Sequence, residues 1–331
     1  MKWIVFGIVA VFLLVGSGTR AQDVAGWGVI APGGDTLCAR GTPYAFFSRP
    51  ANPDKLLIYF QGGGACWNAE TCAPEAGLFD DTVDPAEAGG FVSGIFNQQD
   101  GSNPLIDYSA VVITYCTGDW HMGARTVTYE GVGEIHHNGY ANATAALNWV
   151  YATYPRVSEL VISGCSAGSY GSIYHAPGIL RRYSGARAAQ VGDAAVGLAG
   201  GMWGGFGVWG AGDHAGVRAA PDGFINALYT RAARSYPRAR FGQYTTVTDN
   251  QQIRYYELMN PPIAFTQGMD ASMERLRGLA NFRAYIAPGG EHCITPTDRF
   301  YGEQVGDVRF RDWFASWVSG SDAPNVRCVE C

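Results

Sequence analysis

Three residues of this chain could share a covalent reaction: Ser166, Asp249 and His292, in that order along the sequence. Ser166 stands in Gly164-Cys165-Ser166-Ala167-Gly168, after the apolar run Leu160-Val161-Ile162-Ser163 and before a segment with helical character. A serine at the apex of a strand–turn–helix, flanked by glycines, exposes a nucleophilic hydroxyl above a sheet. Gly164 and Gly168 suit such a turn because strand and helix approach too closely there for side chains. A plain Gly/Ser loop would show the same five letters; the flanking strand and helix separate the two readings. A serine hydroxyl attacks an acyl carbon only when an imidazole takes its proton and a carboxylate orients that imidazole.

In this arrangement the acid and then the histidine follow the serine. Downstream of Ser166 lie His175, His214 and His292. His175 falls inside the helix leaving the turn, and His214 in a Gly-rich segment. His292, in Gly289-Gly290-Glu291-His292-Cys293, follows the last strand, where glycines can swing an imidazole over the strand ends; a surface loop histidine is the bland alternative. Asp249 follows Thr245-Thr246-Val247-Thr248 and opens a helix at Asn250. A helix N-cap would equally account for an aspartate there, and Asp193, Asp270 and Asp298 are rivals for the acid. Asp249 combines a strand end with a suitable remove from both partners. The oxyanion of a tetrahedral intermediate needs donors. Those expected are the N–H of Ala167, next after the nucleophile, and the N–H groups of Gly63, Gly64 and Ala65 in the glycine turn after an early strand. A phosphate-cradling turn would need G-x-x-x-x-G-K-[ST], which the sequence lacks.

These residues must be held by alternating strands and helices. Runs at 55–60, 110–115, 160–163, 188–198, 243–248 and 282–287 read as strands; 136–154, 167–183, 251–259, 272–281 and 308–319 read as helices; 66–104 reads as loop-rich. The alternation predicts an α/β fold, α/β-hydrolase-like, with a mostly parallel central sheet and helices on both faces. Ligands in such sheets bind beyond the carboxyl ends of the strands. No repeat, charge block or Pro/Ser linker divides the chain, so 22–331 reads as one domain.

Residues 1–21 read as a secretory leader: Lys2 near the start, an apolar run of about 12 residues from Ile4, and Thr19-Arg20-Ala21 as the cleavage site. No later stretch is long and apolar enough to span a bilayer. The chain carries 23 Lys and Arg against 29 Asp and Glu, a formal charge of −6. That acidic balance argues against nucleic acid or an anionic membrane as partner. Eight cysteines, an even count in an exported chain, favour disulfides; Cys66 and Cys72 are close enough to close a small loop. A zinc site is the competing reading, but no C-x-x-C pair meets a second at the usual spacing, so no metal is expected. Asn142-Ala143-Thr144 fits a glycosylation sequon but falls within a predicted helix.

Taken together, the chain resembles the pectin acetylesterase/Notum family of serine carboxylesterases. Gln61-Gly62-Gly63-Gly64-Ala65-Cys66-Trp67-Asn68 is similar to that family's oxyanion turn, with Cys72 where its partner cysteine would be. Tyr115-Cys116-Thr117-Gly118-Asp119-Trp120-His121-Met122-Gly123 resembles a segment bordering its active site. Gly164 to Gly168 looks like its nucleophile turn. Thr248-Asp249-Asn250-Gln251-Gln252 and Glu291-His292-Cys293 resemble the segments holding its acid and histidine. The resemblance implies an exported hydrolase that removes O-acyl groups, foremost acetyl, from a polysaccharide such as pectin, without metal or cofactor. It makes Trp67, Asp119 and Trp120 candidates for the substrate pocket. The chain departs from the family pattern at Ala65-Cys66-Trp67, at Ser169 and at Ile294-Thr295. A broad esterase, lipase or polyester hydrolase is the alternative enzyme, and a catalytically inactive carbohydrate-binding relative the alternative from another class. The Gly- and aromatic-rich segment 200–212 could line a groove or simply pack.

Overall fold

The computed structural model describes residues 22–198, 204–215, 223–329 and 331. The leader expected at 1–21 and the part of the aromatic segment at 200–203 lie outside the described residues. Ten strands form one sheet: β1 (Gln22–Val24), β2 (Trp27–Ile30), β3 (Phe46–Arg49), β4 (Asn52–Phe60), β5 (Tyr108–Ile113), β6 (Glu159–Cys165), β7 (Arg187–Asp193), β8 (Arg240–Thr246), β9 (Phe282–Ala287) and β10 (Val326–Arg327). Their order is β1-β2-β3-β5-β4-β6-β7-β8-β9-β10. Pairings from β1 through β3 to β5 are antiparallel, and all pairings from β5 to β10 are parallel. Strand β5 is buried along its whole length and β4 over its last five residues, as expected where both faces of a parallel sheet are covered.

The pleat divides the interior into two cores. Leu56, Ile58 and Phe60 of β4 face one core. With them pack Ala146 and Val150 of α1 (Gly139–Thr153), Ile173 of α2 (Ala167–Arg182), Leu228 of α3 (Phe224–Ser235), Tyr256 of α4 (Asn250–Leu258) and Leu276 of α5 (Phe265–Arg277). Leu57 and Tyr59 point the other way, onto Phe310, Trp313, Phe314 and Trp317 of α6 (Phe310–Ser319) and onto Phe91 and Phe96. The fold is therefore the expected mostly parallel α/β-hydrolase-like sheet with helices on both faces, unevenly distributed.

Several element boundaries differ from the sequence reading. Residues 136 and 137, read as the start of a helix, instead end the strand Gly133–His137 of a hairpin with Arg125–Tyr129, and α1 begins only at Gly139. Strand β7 stops at Asp193 instead of running to 198, because Ala194 takes a φ of +56° and turns the chain out of the sheet. Helix α5 starts at Phe265, seven residues before the expected 272, just after Pro261-Pro262. The short strands β1 to β3 were not anticipated; β1 and β2 turn through Ala25 and Gly26, both at positive φ.

The cysteines pair as Cys38–Cys116, Cys66–Cys72, Cys165–Cys293 and Cys328–Cys331. Among the described residues no helix is long and apolar enough to cross a membrane. The Asn142 side chain is 2% exposed and holds both the N–H and the C=O of Leu37, so it is not presented as a glycan acceptor.

The aromatic packing of α6 gives the first expectation. Trp313→Ala, at a 2% exposed position that stacks on Phe310, should cost about 3–5 kcal/mol, read as a lower urea midpoint with an unchanged slope.

Candidate active site

The chain leaves β4 toward β5 on one side and returns to β6 on the other, which opens a crevice beyond the ends of β4 and β6. Ser166 sits there, between the last residue of β6 and the first of α2, with φ +54° and ψ −125°. A non-glycine residue in that conformation costs on the order of 1–3 kcal/mol and persists only where its surroundings impose it. They do so by close backbone contact. A Cβ at Gly168 would lie 2.0 Å from the Phe60 carbonyl oxygen, and one at Gly164 2.3 Å from that of Gly168. The Ser166 N–H donates to the Asp193 carbonyl at 2.9 Å. Ser169, which departs from the family pattern, fits because Gly192 stands opposite: a Cβ there would meet Ser169 Oγ at 2.2 Å.

Asp249 is fully buried and does two things at once. As N-cap of α4, its Oδ1 accepts from the N–H groups of Gln251 and Gln252 at 3.1 and 2.9 Å. Its Oδ2 accepts from Gln252 Nε2 at 2.9 Å, and His292 Nδ1 lies 2.9 Å from each carboxylate oxygen. With Nδ1–H directed at the carboxylate, Nε2 is the free, basic nitrogen of the ring. His292 and Ser166 border the same two cavities. Their chain neighbours are joined covalently by Cys165–Cys293, across a sequence separation of 128.

The rival residues lie elsewhere. Asp193 turns its Oδ2 to the N–H of Ile294 at 2.9 Å and to the N–H and Oγ1 of Thr295 at 2.7 and 2.6 Å, so it anchors the loop after His292. Burial pushes its carboxyl up to about 6, against the pull of those Thr295 and Ile294 donors and of His292. Asp270 pairs with Arg327, and Asp298 precedes the short helix Arg299–Gly302. His175 Nε2 donates to the His121 carbonyl at 2.8 Å, and His214 stacks on Tyr140.

The glycine turn after β4 lies against this site, with Gly63 and Gly64 both at positive φ. The N–H groups of Gly63, Gly64 and Ala167 have no acceptor among the described residues and remain available. Ala65 corrects the sequence reading: its N–H donates to the Leu78 carbonyl at 3.1 Å and is not free for an oxyanion. Two substrate-pocket assignments need the same correction. Trp67 is buried in the main core and lines neither cavity beside Ser166. Asp119, 0% exposed, accepts from Thr117 Oγ1, His121 N–H and Gly139 N–H at 2.7, 3.1 and 2.7 Å. It thereby braces a turn in which Trp120 and His121 both take positive φ. Trp120 does border the cavity. Tyr115 ties these parts together, its hydroxyl donating to the Gly64 carbonyl at 2.9 Å and accepting from the Trp120 N–H at 3.0 Å.

Ser166 stands where two cavities of different character meet. One, of about 40 Å³, is walled by Trp120, Tyr170, Leu198, Tyr256, Met259 and Phe265. The other, of about 440 Å³, is wider and carries Gln61, Asp80, Phe91, Gln251 and Tyr255. The sequence reading missed the walls given by α4 and α5; the adjacent Tyr255 and Tyr256 just after the acid were the available signal. Among the described residues two clusters bring cysteine sulfur near a histidine, Cys66-Cys72-His137 and Cys165-Cys293-His292, but all four sulfurs are bound in disulfides and offer no thiolate to a metal.

The sequence pattern of the pectinacetylesterase family matches residues 30–195. A palmitoleoyl-protein carboxylesterase NOTUM from Schmidtea mediterranea is 26% identical over 159 residues, which span 44% of this chain and 28% of that protein. Two crystal forms of the Wnt deacylase Notum from Drosophila superpose with TM-scores of 0.63 and 0.61 at 16% and 15% identity, over 89% of this chain and 93% and 94% of theirs. At that identity they speak to the fold alone.

Two expectations follow from this geometry. Gly168→Ala, which forces a Cβ into the Phe60 carbonyl, should cost several kcal/mol, about the top of the usual range for backbone strain, and lower the melting temperature. Asp193 and Asp119 are both pushed up to about 6 by burial. Carboxyls raised in the folded state stabilise it below the ordinary carboxylate pKa, and that contribution is lost as pH rises through about 6. Asp193→Asn should therefore flatten, without abolishing, a fall in melting temperature between acid and neutral pH followed by circular dichroism.

Proposed function

The chain belongs to the pectinacetylesterase family of carboxylic ester hydrolases, and from that premise we propose that it is an exported serine esterase acting through Ser166, His292 and Asp249 on O-acyl groups carried by a polysaccharide. The observation that carries this reading is His292: its Nδ1 lies 2.9 Å from both oxygens of buried Asp249, while the same ring borders the cavity that contains Ser166. An inactive relative would have no need of so complete a constellation. Export is supported by the four disulfides.

In the mechanism, Ser166 Oγ adds to the ester carbonyl as its proton passes to His292 Nε2. Asp249 stabilises the resulting imidazolium and keeps Nε2 aimed at the reacting atoms. The tetrahedral oxyanion accepts from the N–H groups of Gly64 and Ala167, with Gly63 beside them. His292 then returns the proton to the leaving alcohol, which departs through the wide groove. Water, deprotonated by the same imidazole, releases the acid from Ser166.

A second reading concerns the acyl group alone. The family is named for acetyl, yet the acyl-side cavity is walled by aromatic and aliphatic side chains, a lining that suits the methylene groups of a longer acid. It favours acyl groups longer than acetyl, and the NOTUM relative is itself named for a palmitoleoyl ester.

Hydrolysis of 4-nitrophenyl acetate, butyrate and octanoate separates the two: kcat/KM rising with chain length supports the longer acyl group, and falling supports acetyl. Ser166→Ala should reduce kcat by about 10⁶ and Asp249→Asn by about 10⁴. Ester turnover that survives Ser166→Ala would refute the assignment.

A further inference from the structure

The wide groove on the alcohol side of Ser166 has a charge pattern that the ester chemistry does not require. Asp80 lines it beside Gly63, close enough that a Cβ on Gly63 would meet Asp80 Oδ2 at 2.6 Å. Its N–H is fixed to the Gly63 carbonyl at 2.9 Å, so the carboxylate is anchored to the glycine turn itself. Next along the wall, Gln61 Nε2 donates to Glu87 Oε2 at 2.8 Å, and Gln61 Oε1 accepts from the Tyr115 N–H at 3.2 Å. Burial, with Glu87 and then Asp81 nearby, raises the Asp80 pKa. No arginine or lysine lines the groove among the described residues; its one basic side chain is His292. Three neighbouring guanidiniums are engaged elsewhere: Arg40 on Asp81 at 2.6 Å, Arg49 on the carbonyls of Phe91 and Phe96, Arg299 on Glu291 and Glu303; Arg254, exposed on α4, acts electrostatically on Tyr255 of the groove wall without lining the groove itself.

A fixed carboxylate with side-chain amides and aromatic rings around it suits hydroxyl donors and the C–H faces of sugar rings. It repels a second carboxylate, and in a concave low-dielectric groove that repulsion is focused. We propose that Asp80 makes the leaving-group groove selective for an uncharged, polyhydroxylated alcohol, an O-acylated neutral glycan, and that it rejects chains built of uronate residues. This rests on the esterase reading above and narrows its alcohol partner.

The test uses the full chain and two acetylated oligomers of matched length and acetylation, xylo-oligosaccharide and oligogalacturonide, with acetate release as readout. At low salt the neutral oligomer should be preferred in kcat/KM by about 10-fold or more, and added NaCl should narrow the gap as the repulsion is screened. Asp80→Asn should raise kcat/KM on the oligogalacturonide relative to the xylo-oligosaccharide by about 5-fold, mainly through KM. Preference for the uronate oligomer at low salt, or a ratio untouched by both salt and Asp80→Asn, overturns the proposal; the salt series on the wild type decides the matter should Asp80→Asn fail to fold. Turnover of 4-nitrophenyl acetate with neither oligomer cleaved also overturns it while leaving the esterase reading intact. Loss of turnover on every ester, or turnover surviving in Ser166→Ala, would sink the esterase reading and this inference with it.

Discussion

A buried carboxylate is tolerable only where its charge is answered, and Asp249 is the point at which this structure solves that problem. Two backbone N–H groups of α4, the amide of Gln252 and the Nδ1 of His292 converge on its two oxygens. The helix N-terminus adds a favourable dipole for the anion. The N-cap and the imidazole partner are thus one residue, and the alternatives set out for Asp249 do not compete. The carboxylate that starts α4 also places the aromatic face of that helix, through Tyr255 and Tyr256, along the cavities beside Ser166.

Bringing the imidazole to the serine requires two loops far apart in sequence to hold a common register. Three independent devices do this. Cys165–Cys293 joins the residue before the nucleophile to the residue after the histidine. Asp193 accepts the Ser166 N–H on its carbonyl and the Ile294 and Thr295 donors on its carboxylate. Adjacent strands set the level of all of them, since Cys165 and Asp193 are register partners between β6 and β7. The altered residues Ile294 and Thr295 are therefore part of the anchoring, because their donors meet Asp193.

The two sides of the serine differ in chemistry. The proposed acyl side is a slot with aromatic and aliphatic walls that include Trp120, whose ring centroid lies 4.1 Å from that of Tyr170. The proposed alcohol side is wider and carries the Asp80 carboxylate. Such asymmetry suits an ester whose acid part is apolar and whose alcohol part is hydroxylated and uncharged. The acidic balance of the whole chain, with 29 carboxylates against 23 cations, points the same way.

The sequence alone was enough for whatever depends on neighbours along the chain. The glycine-flanked Ser166, the apolar strands and the helix that Asp249 opens are legible because backbone sterics, side-chain alternation and capping act over a few residues. Helix and strand ends were less legible, as at residues 136–137 and 194–198, where a hairpin and a single positive φ override local preference. The Cys66–Cys72 loop was legible from its short spacing; the fate of Ala65, Trp67 and Asp119, the other three disulfides and the walls supplied by α4 and α5 were decided only by tertiary structure. These outcomes turn on partners that local pattern does not name: Leu78 takes the Ala65 N–H, and the N–H of Gly139 joins neighbouring Thr117 on the Asp119 carboxylate. Residue type states what a group can donate, accept or exclude. Whether it does so toward a substrate or toward the protein itself is settled by what the fold brings within about 3 Å, the reach of a hydrogen bond.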